Sequence, residues 1–204
     1  LADTRYAKRV PVMAGSNRDE VSLWLGLNRY FVEGTDFSAG LLPPRMRLKN
    51  PEMYQHWVEL RSRGWKARGV DEPLRALESA GYSDLWAYRF DWDDQDDNWL
   101  FPFSEILGAA HGAEIAFVMG AAMYGSIGDY MYPDNASAQE MTARMMTAWG
   151  RFARQGMPGD IAGEVWPRFS AETPHTMVLD SGDRHGLETE SLSLLSVVDE
   201  ASHV

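Results

Sequence analysis

The chain has 204 residues, 45% of them apolar, enough to fill one ordinary domain with a substantial core. A net charge of −11 argues against nucleic-acid binding, which needs a basic surface for phosphate, and disfavours attachment to anionic lipid. With no cysteine there is no disulfide, thiolate zinc site or cysteine nucleophile, and no apolar run reaches the length of a membrane span. Leu1 stands where a start Met would, without a charged n-region or an apolar h-region, so the native N-terminus and any compartment signal are expected to lie outside the chain. Cytoplasmic and secreted locations both stay open.

In chain order, Val10–Gly15 is short, apolar and closed by Gly-Ser-Asn, which predicts a buried strand with a helix starting just after it. Residues 22–48 read as irregular, because Gly34, Gly40 and the Pro43-Pro44 pair break any period. Met53, Trp57, Leu60 and Trp65 fall near helical spacing among charges and predict an amphipathic helix over Pro51–Arg68. A second helix is expected over Glu72–Ser79, with Pro73 in its first turn and Gly81 as its stop. The one basic stretch, Arg45–Arg75, carries eight Lys or Arg against four acids and reads as a solvated helix pair. Leu85–Trp92 alternates like a strand, Asp91–Asp97 is a hydrophilic loop, and Gly112–Met119 is a short helix or turn. Gly125–Asn135 reads as loop. Met141, Met145, Ala148, Trp149 and Phe152 at helical intervals, with Gly156 beyond, predict a helix over Ser137–Gln155. Thr176–Leu179 is expected to be the last strand, followed by an acidic tail with enough leucines for a closing helix.

Four blocks in this chain resemble a known family. Gly15-Ser16-Asn17-Arg18-Asp19-Glu20 resembles the G-x-N-x-D-E turn of type-B carboxylesterases, the cholinesterase-like branch of the α/β-hydrolases. Gly108-Ala109-Ala110-His111-Gly112-Ala113-Glu114-Ile115-Ala116-Phe117-Val118 is similar to their histidine loop, and Tyr88-Arg89-Phe90-Asp91-Trp92 to the preceding strand in bacterial members. Met146–Pro158 and Trp166-Pro167-Arg168-Phe169 look like the family's near-terminal helix, its Gly-x-Pro stop and its W-P-x-[YF] segment. In this fold the triad runs Ser, then Asp or Glu, then His, so the resemblance implies the C-terminal half of an enzyme more than twice as long. The fold class implied is α/β: the later strands of a mostly parallel sheet with flanking helices, residues 1–204 forming a partial domain that lacks its N-terminal half. The lack of cysteine tilts the source towards bacteria.

Ester cleavage needs a base near neutral pKa and a carboxylate that fixes its tautomer. Read from residues alone, Glu20 closes a turn like a capping box begun by Asn17, and Asp19 is a rival acid in that turn. The resemblance places the orienting acid on Glu20 and the general base on His111. His56, His175, His185 and His203 have no such flanks. The nucleophile needs a G-x-S-x-G elbow, and none is present. Leu77-Glu78-Ser79-Ala80-Gly81 comes near, but its first Gly is Leu77, it ends a predicted helix, and it falls between acid and base. The Gly-rich oxyanion segment is also absent.

Asp91, Asp93 and Gln95 sit at the first alternating positions of an EF-hand loop, yet position six is Asp96 and position twelve Pro102, so a solvated acidic loop with at most weak surface Ca²⁺ binding is expected. Trp24, Trp57, Trp65, Trp86, Trp92 and Trp99 could wall an acyl or alcohol pocket, although packing is the commoner use of such aromatics. The resemblance therefore implies serine acyl transfer to water on a small-molecule ester, without metal or organic cofactor. The chain alone is expected to be inactive and to associate with its N-terminal half or with itself. The alternative is a non-catalytic, cholinesterase-like interaction module.

Overall fold

A computed structural model of the chain describes residues 9–36, 38–121, 125, 128–190 and 192–201. Strand β1 (Val12–Asn17) runs through Gly15 to the end of the Gly-Ser-Asn sequence, and a single helical turn, α1 (Ser22–Leu25), follows it. The stretch read as irregular holds an antiparallel hairpin, β2 (Val32–Thr35) and β3 (Arg45–Leu48). Each strand has four residues, too few to display a period, and only the paired Val32 and Leu48 are buried, beside Phe31 and Tyr54.

Helix α2 (Pro51–Lys66) starts as its sequence dictates, with Pro51 in the first turn and the Asn50 side chain accepting from the Met53 N–H at 3.0 Å. A π-helical turn, Ala67–Asp71, then carries the chain directly into α3 (Glu72–Ser79), so the two expected helices are continuous. The basic stretch is not wholly solvated, because Lys66 is buried against Asp71. Strand β4 (Leu85–Phe90) precedes the short helices α4 (Phe103–Ile106) and α5 (Glu114–Met119), and α6 (Gly128–Met131) occupies part of the stretch read as loop. Helix α7 (Ala136–Gln155) is capped by Asn135, whose side chain accepts from Ala138 N–H at 2.8 Å, and stops at Gly156 with φ +75°. A two-residue hairpin, β5 (Asp160–Ile161) with β6 (Glu164–Val165), leads to β7 (His175–Leu179). That strand is not the last: β8 (Gly186–Thr189) returns antiparallel beside it before α8 (Leu194–Ala201) closes the tail.

The main sheet has the order β1-β4-β7-β8, parallel except for β8. Period-two alternation on β4 serves both faces. Trp86, Tyr88 and Phe90 pack with Met141, Met145 and Ala148 of α7, while Leu85 and Ala87 pack with Val70 of the π turn and Leu74 of α3. Both faces of the sheet are therefore covered by helices, the arrangement a parallel sheet requires. Among the described residues β1 pairs only with β4, which leaves its other edge open. The carboxyl ends of β1 and β4 lie side by side, joined by the Arg18 N–H donating to the Phe90 carbonyl at 2.8 Å. Open α/β sheets place their chemistry at this end.

Candidate active site

The turn after β1 brings Glu20 inside the protein, 4% exposed. Both of its carboxylate oxygens are used: Oε1 accepts from the Asn17 N–H at 2.8 Å, and Oε2 lies 2.6 Å from His111 Nδ1. Half of the capping-box reading is thus realised, since the back-bond from the acid to the Asn17 N–H forms although the helix itself starts only at Ser22. The Asn17 side chain faces elsewhere, donating to the Ala110 carbonyl and to Glu114 Oε2, each at 2.6 Å. Burial pushes the Glu20 pKa up, opposed by the Asn17 N–H and by His111, with Glu114 adding to the rise.

Where Glu20 is ionised it can only accept, so in the neutral imidazole Nδ1 carries the proton and Nε2 keeps its lone pair. The His111 side chain is 46% exposed, and among the described residues Nε2 has no hydrogen-bond partner. Two of the six tryptophans named above stand beside the ring. Trp24 lies 5.3 Å and Trp65 5.2 Å from it between centroids, and the two indoles stack on each other at 5.9 Å. Trp86 and Trp92 are core residues, while Trp57 and Trp99 are exposed. Spacing along the chain does not separate these groups, because the encounter of α1 with the end of α2 is tertiary.

Neither Asp19 nor any serine hydroxyl bonds the imidazole among the described residues. Ser79 is exposed at the end of α3, as its stop signal suggests. His56 is exposed, His175 meets Thr189 Oγ1 at 3.2 Å, His185 meets the Gly182 carbonyl at 2.5 Å, and His203 lies outside the described residues.

The aspartate loop departs from a merely solvated one. Asp91 is buried in a two-bond pair with Arg89, Asp93 pairs with Arg18 and Arg184, and Asp94 accepts from Arg184, Ser137 and Ser181. Burial pushes the Asp91 carboxyl up against the pull of Arg89. Paired in this way, the aspartates have few oxygens to offer a cation, and no group of three or more His, Asp or Glu among the described residues could hold a metal ion. No helix among them is long and apolar enough to cross a membrane.

Residues 49–195 match the profile of the carboxylesterase family. The chain is 26% identical to the para-nitrobenzyl esterase of Bacillus subtilis over 180 residues, 86% of this chain and 35% of that protein. It is 35% identical to the acetylcholinesterase of Bungarus fasciatus over 101 residues, 48% of this chain and 15% of that one. Among solved structures, an esterase from Clostridium hathewayi superposes with a TM-score of 0.60 at 21% identity, over 97% of this chain and 39% of that one. The Geobacillus stearothermophilus carboxylesterase gives 0.59 at 19% identity, over 88% and 38%. At such identities the superpositions establish the α/β-hydrolase fold, and the chain spans well under half the length of these relatives.

Proposed function

Because the chain belongs to the carboxylesterase family, we propose that it supplies the acid and base of a Ser-Glu-His triad in a carboxylic ester hydrolase. The observation that carries this reading is the 2.6 Å contact between Glu20 and His111, whose half-exposed ring has no partner at Nε2 among the described residues. In the reaction, Nε2 of His111 takes the proton of a serine hydroxyl as that oxygen attacks the ester carbonyl, and returns it to the departing alkoxide. Water then attacks the acyl-enzyme by the same route. Glu20 holds the imidazole in its productive tautomer and stabilises the imidazolium that forms. The chain has neither the serine elbow nor the oxyanion donors, and in this reading a preceding N-terminal half brings both.

Among the described residues the second edge of β1 is open, which supports the same division, since an unpaired row of N–H and C=O groups beside apolar side chains is unfavourable in water. The N-terminal half covers that edge, and without it the chain pairs with copies of itself. The test is to co-express the N-terminal segment encoded upstream with this chain and to assay a short-chain p-nitrophenyl ester. Activity is expected only in the mixture. An inactive complex whose formation light scattering has verified would overturn the triad assignment, and a monodisperse 23 kDa monomer that melts cooperatively would overturn the assembly.

A further inference from the structure

The three residues before His111 each have a backbone group held by a side chain from another segment. Gln95 Nε2 donates to the Gly108 carbonyl at 2.5 Å, the Ala109 N–H donates to Asp19 Oδ2 at 3.0 Å, and Asn17 Nδ2 donates to the Ala110 carbonyl at 2.6 Å. The Asp19 backbone adds a bond of its own, its N–H donating to the Ala109 carbonyl at 3.1 Å. Asp19 therefore grips the Ala109 peptides from both sides, two residues before the imidazole.

One oxygen of Asp19 does the holding. Oδ2 accepts from Ala109 N–H and from Arg18 Nε at 3.0 Å and Nη2 at 2.8 Å, while among the described residues no hydrogen bond reaches Oδ1. Arg18 is itself anchored by Asp93 at 2.8 Å, so the carboxylate is fixed from outside as well. Gly108 makes room for it. Its φ is +53°, and a Cβ there would stand 2.4 Å from Asp19 Oδ2, closer than any real contact.

We propose that Asp19 is a positioning residue: by binding the Ala109 N–H it sets the histidine loop at the height where Nδ1 of His111 meets Glu20. The two neighbouring acids then divide one task, Glu20 touching the ring and Asp19 placing the backbone that carries it. The consequence for rate rests on the catalytic reading above, but the geometric statement does not.

The test reads the imidazole directly in the 204-residue chain labelled with ¹⁵N-histidine. Nitrogen shifts distinguish Nδ1–H from Nε2–H tautomers whether or not the chain belongs to an active enzyme. Wild type is expected to hold neutral His111 as Nδ1–H, and Glu20→Gln to lose that preference. Asp19→Ala is expected to lose it too, with the His175 and His185 signals unmoved. Asp19→Asn is expected to keep it, because an amide oxygen in the Oδ2 position accepts the same three donors and the NH₂ falls where no hydrogen bond is received. Should Asp19→Ala fail to fold, Asp19→Leu decides instead, since it keeps the branched shape of the side chain and removes the oxygen that accepts from the Ala109 N–H.

A folded Asp19→Ala with the wild-type tautomer would overturn the proposal, and so would loss of the tautomer in a folded Asp19→Asn, which would assign the effect to charge. In the assembled enzyme the corresponding result is a kcat lowered roughly 10²-fold by Asp19→Ala at nearly unchanged KM, the scale of a misplaced catalytic group, with recovery in Asp19→Asn.

Discussion

On the proposed triad reading, His111→Ala in the complex with the N-terminal half is expected to lower kcat by roughly 10⁴-fold or more, because the serine would then have no group to take its proton. Glu20→Gln should cost a comparable or smaller factor. The amide keeps the shape of the side chain but can present an N–H to Nδ1, which moves the ring proton to Nε2, where the serine needs a lone pair. The double variant should be little worse than His111→Ala, since base and orienter act as one unit. Ser79→Ala is the control and should leave kcat near wild type, as an exposed residue ending α3 has no path to the imidazole. Steady-state kinetics on a p-nitrophenyl ester would measure all four. A dead but folded Ser79→Ala would return that serine to candidacy as nucleophile.

The second large effect concerns stability. Lys66 and Asp71 are both buried, with Nζ at 2.8 and 3.0 Å from the two carboxylate oxygens and the Leu192 N–H donating to Oδ2 at 2.7 Å. The pair closes the π turn and fastens the tail across it, for Lys66 Nζ also reaches the Glu190 carbonyl at 3.4 Å. Lys66→Met removes the cation and leaves a carboxylate with no exposure and one remaining donor, at a cost of about 3–5 kcal/mol. Asp71→Asn added to Lys66→Met should restore part of that loss by removing the unpaired charge. Equilibrium urea denaturation at one fixed protein concentration would show it. A loss below about 1 kcal/mol would mean that water reaches the pair, as it does for surface ion pairs.

Local terms made much of the fold legible. Helix α7 follows from its period and the Gly156 stop, α3 from Pro73 and Gly81, and β4 from its alternation, because each depends on residues within a turn or two of one another. The β2–β3 hairpin and β8 escaped the reading for the complementary reason. Short strands are held by what they pair with, and their partners are tertiary or lie across a loop. The reading of the aspartate loop as solvated holds for the exposed Asp96 and Asp97 but not for Asp91, Asp93 and Asp94, because a sequence shows carboxylates but not the arginines that fold onto them: Arg18 and Arg184 lie 75 and 91 residues from Asp93 in the chain.

The sequence by itself determined the family, the order of acid and histidine motifs, and the lack of an elbow, since these are matters of residue type and spacing. The residues alone left Glu20 and Asp19 as rivals and the resemblance chose Glu20; which tryptophans stand beside the imidazole and what holds its loop were decided only by tertiary structure. Glu20 and His111 are 91 residues apart in the chain and 2.6 Å apart in space. The turn after β1 meets the histidine loop through a parallel bridge between Asp19 and Ala110, a pairing between distant segments that no local stretch encodes.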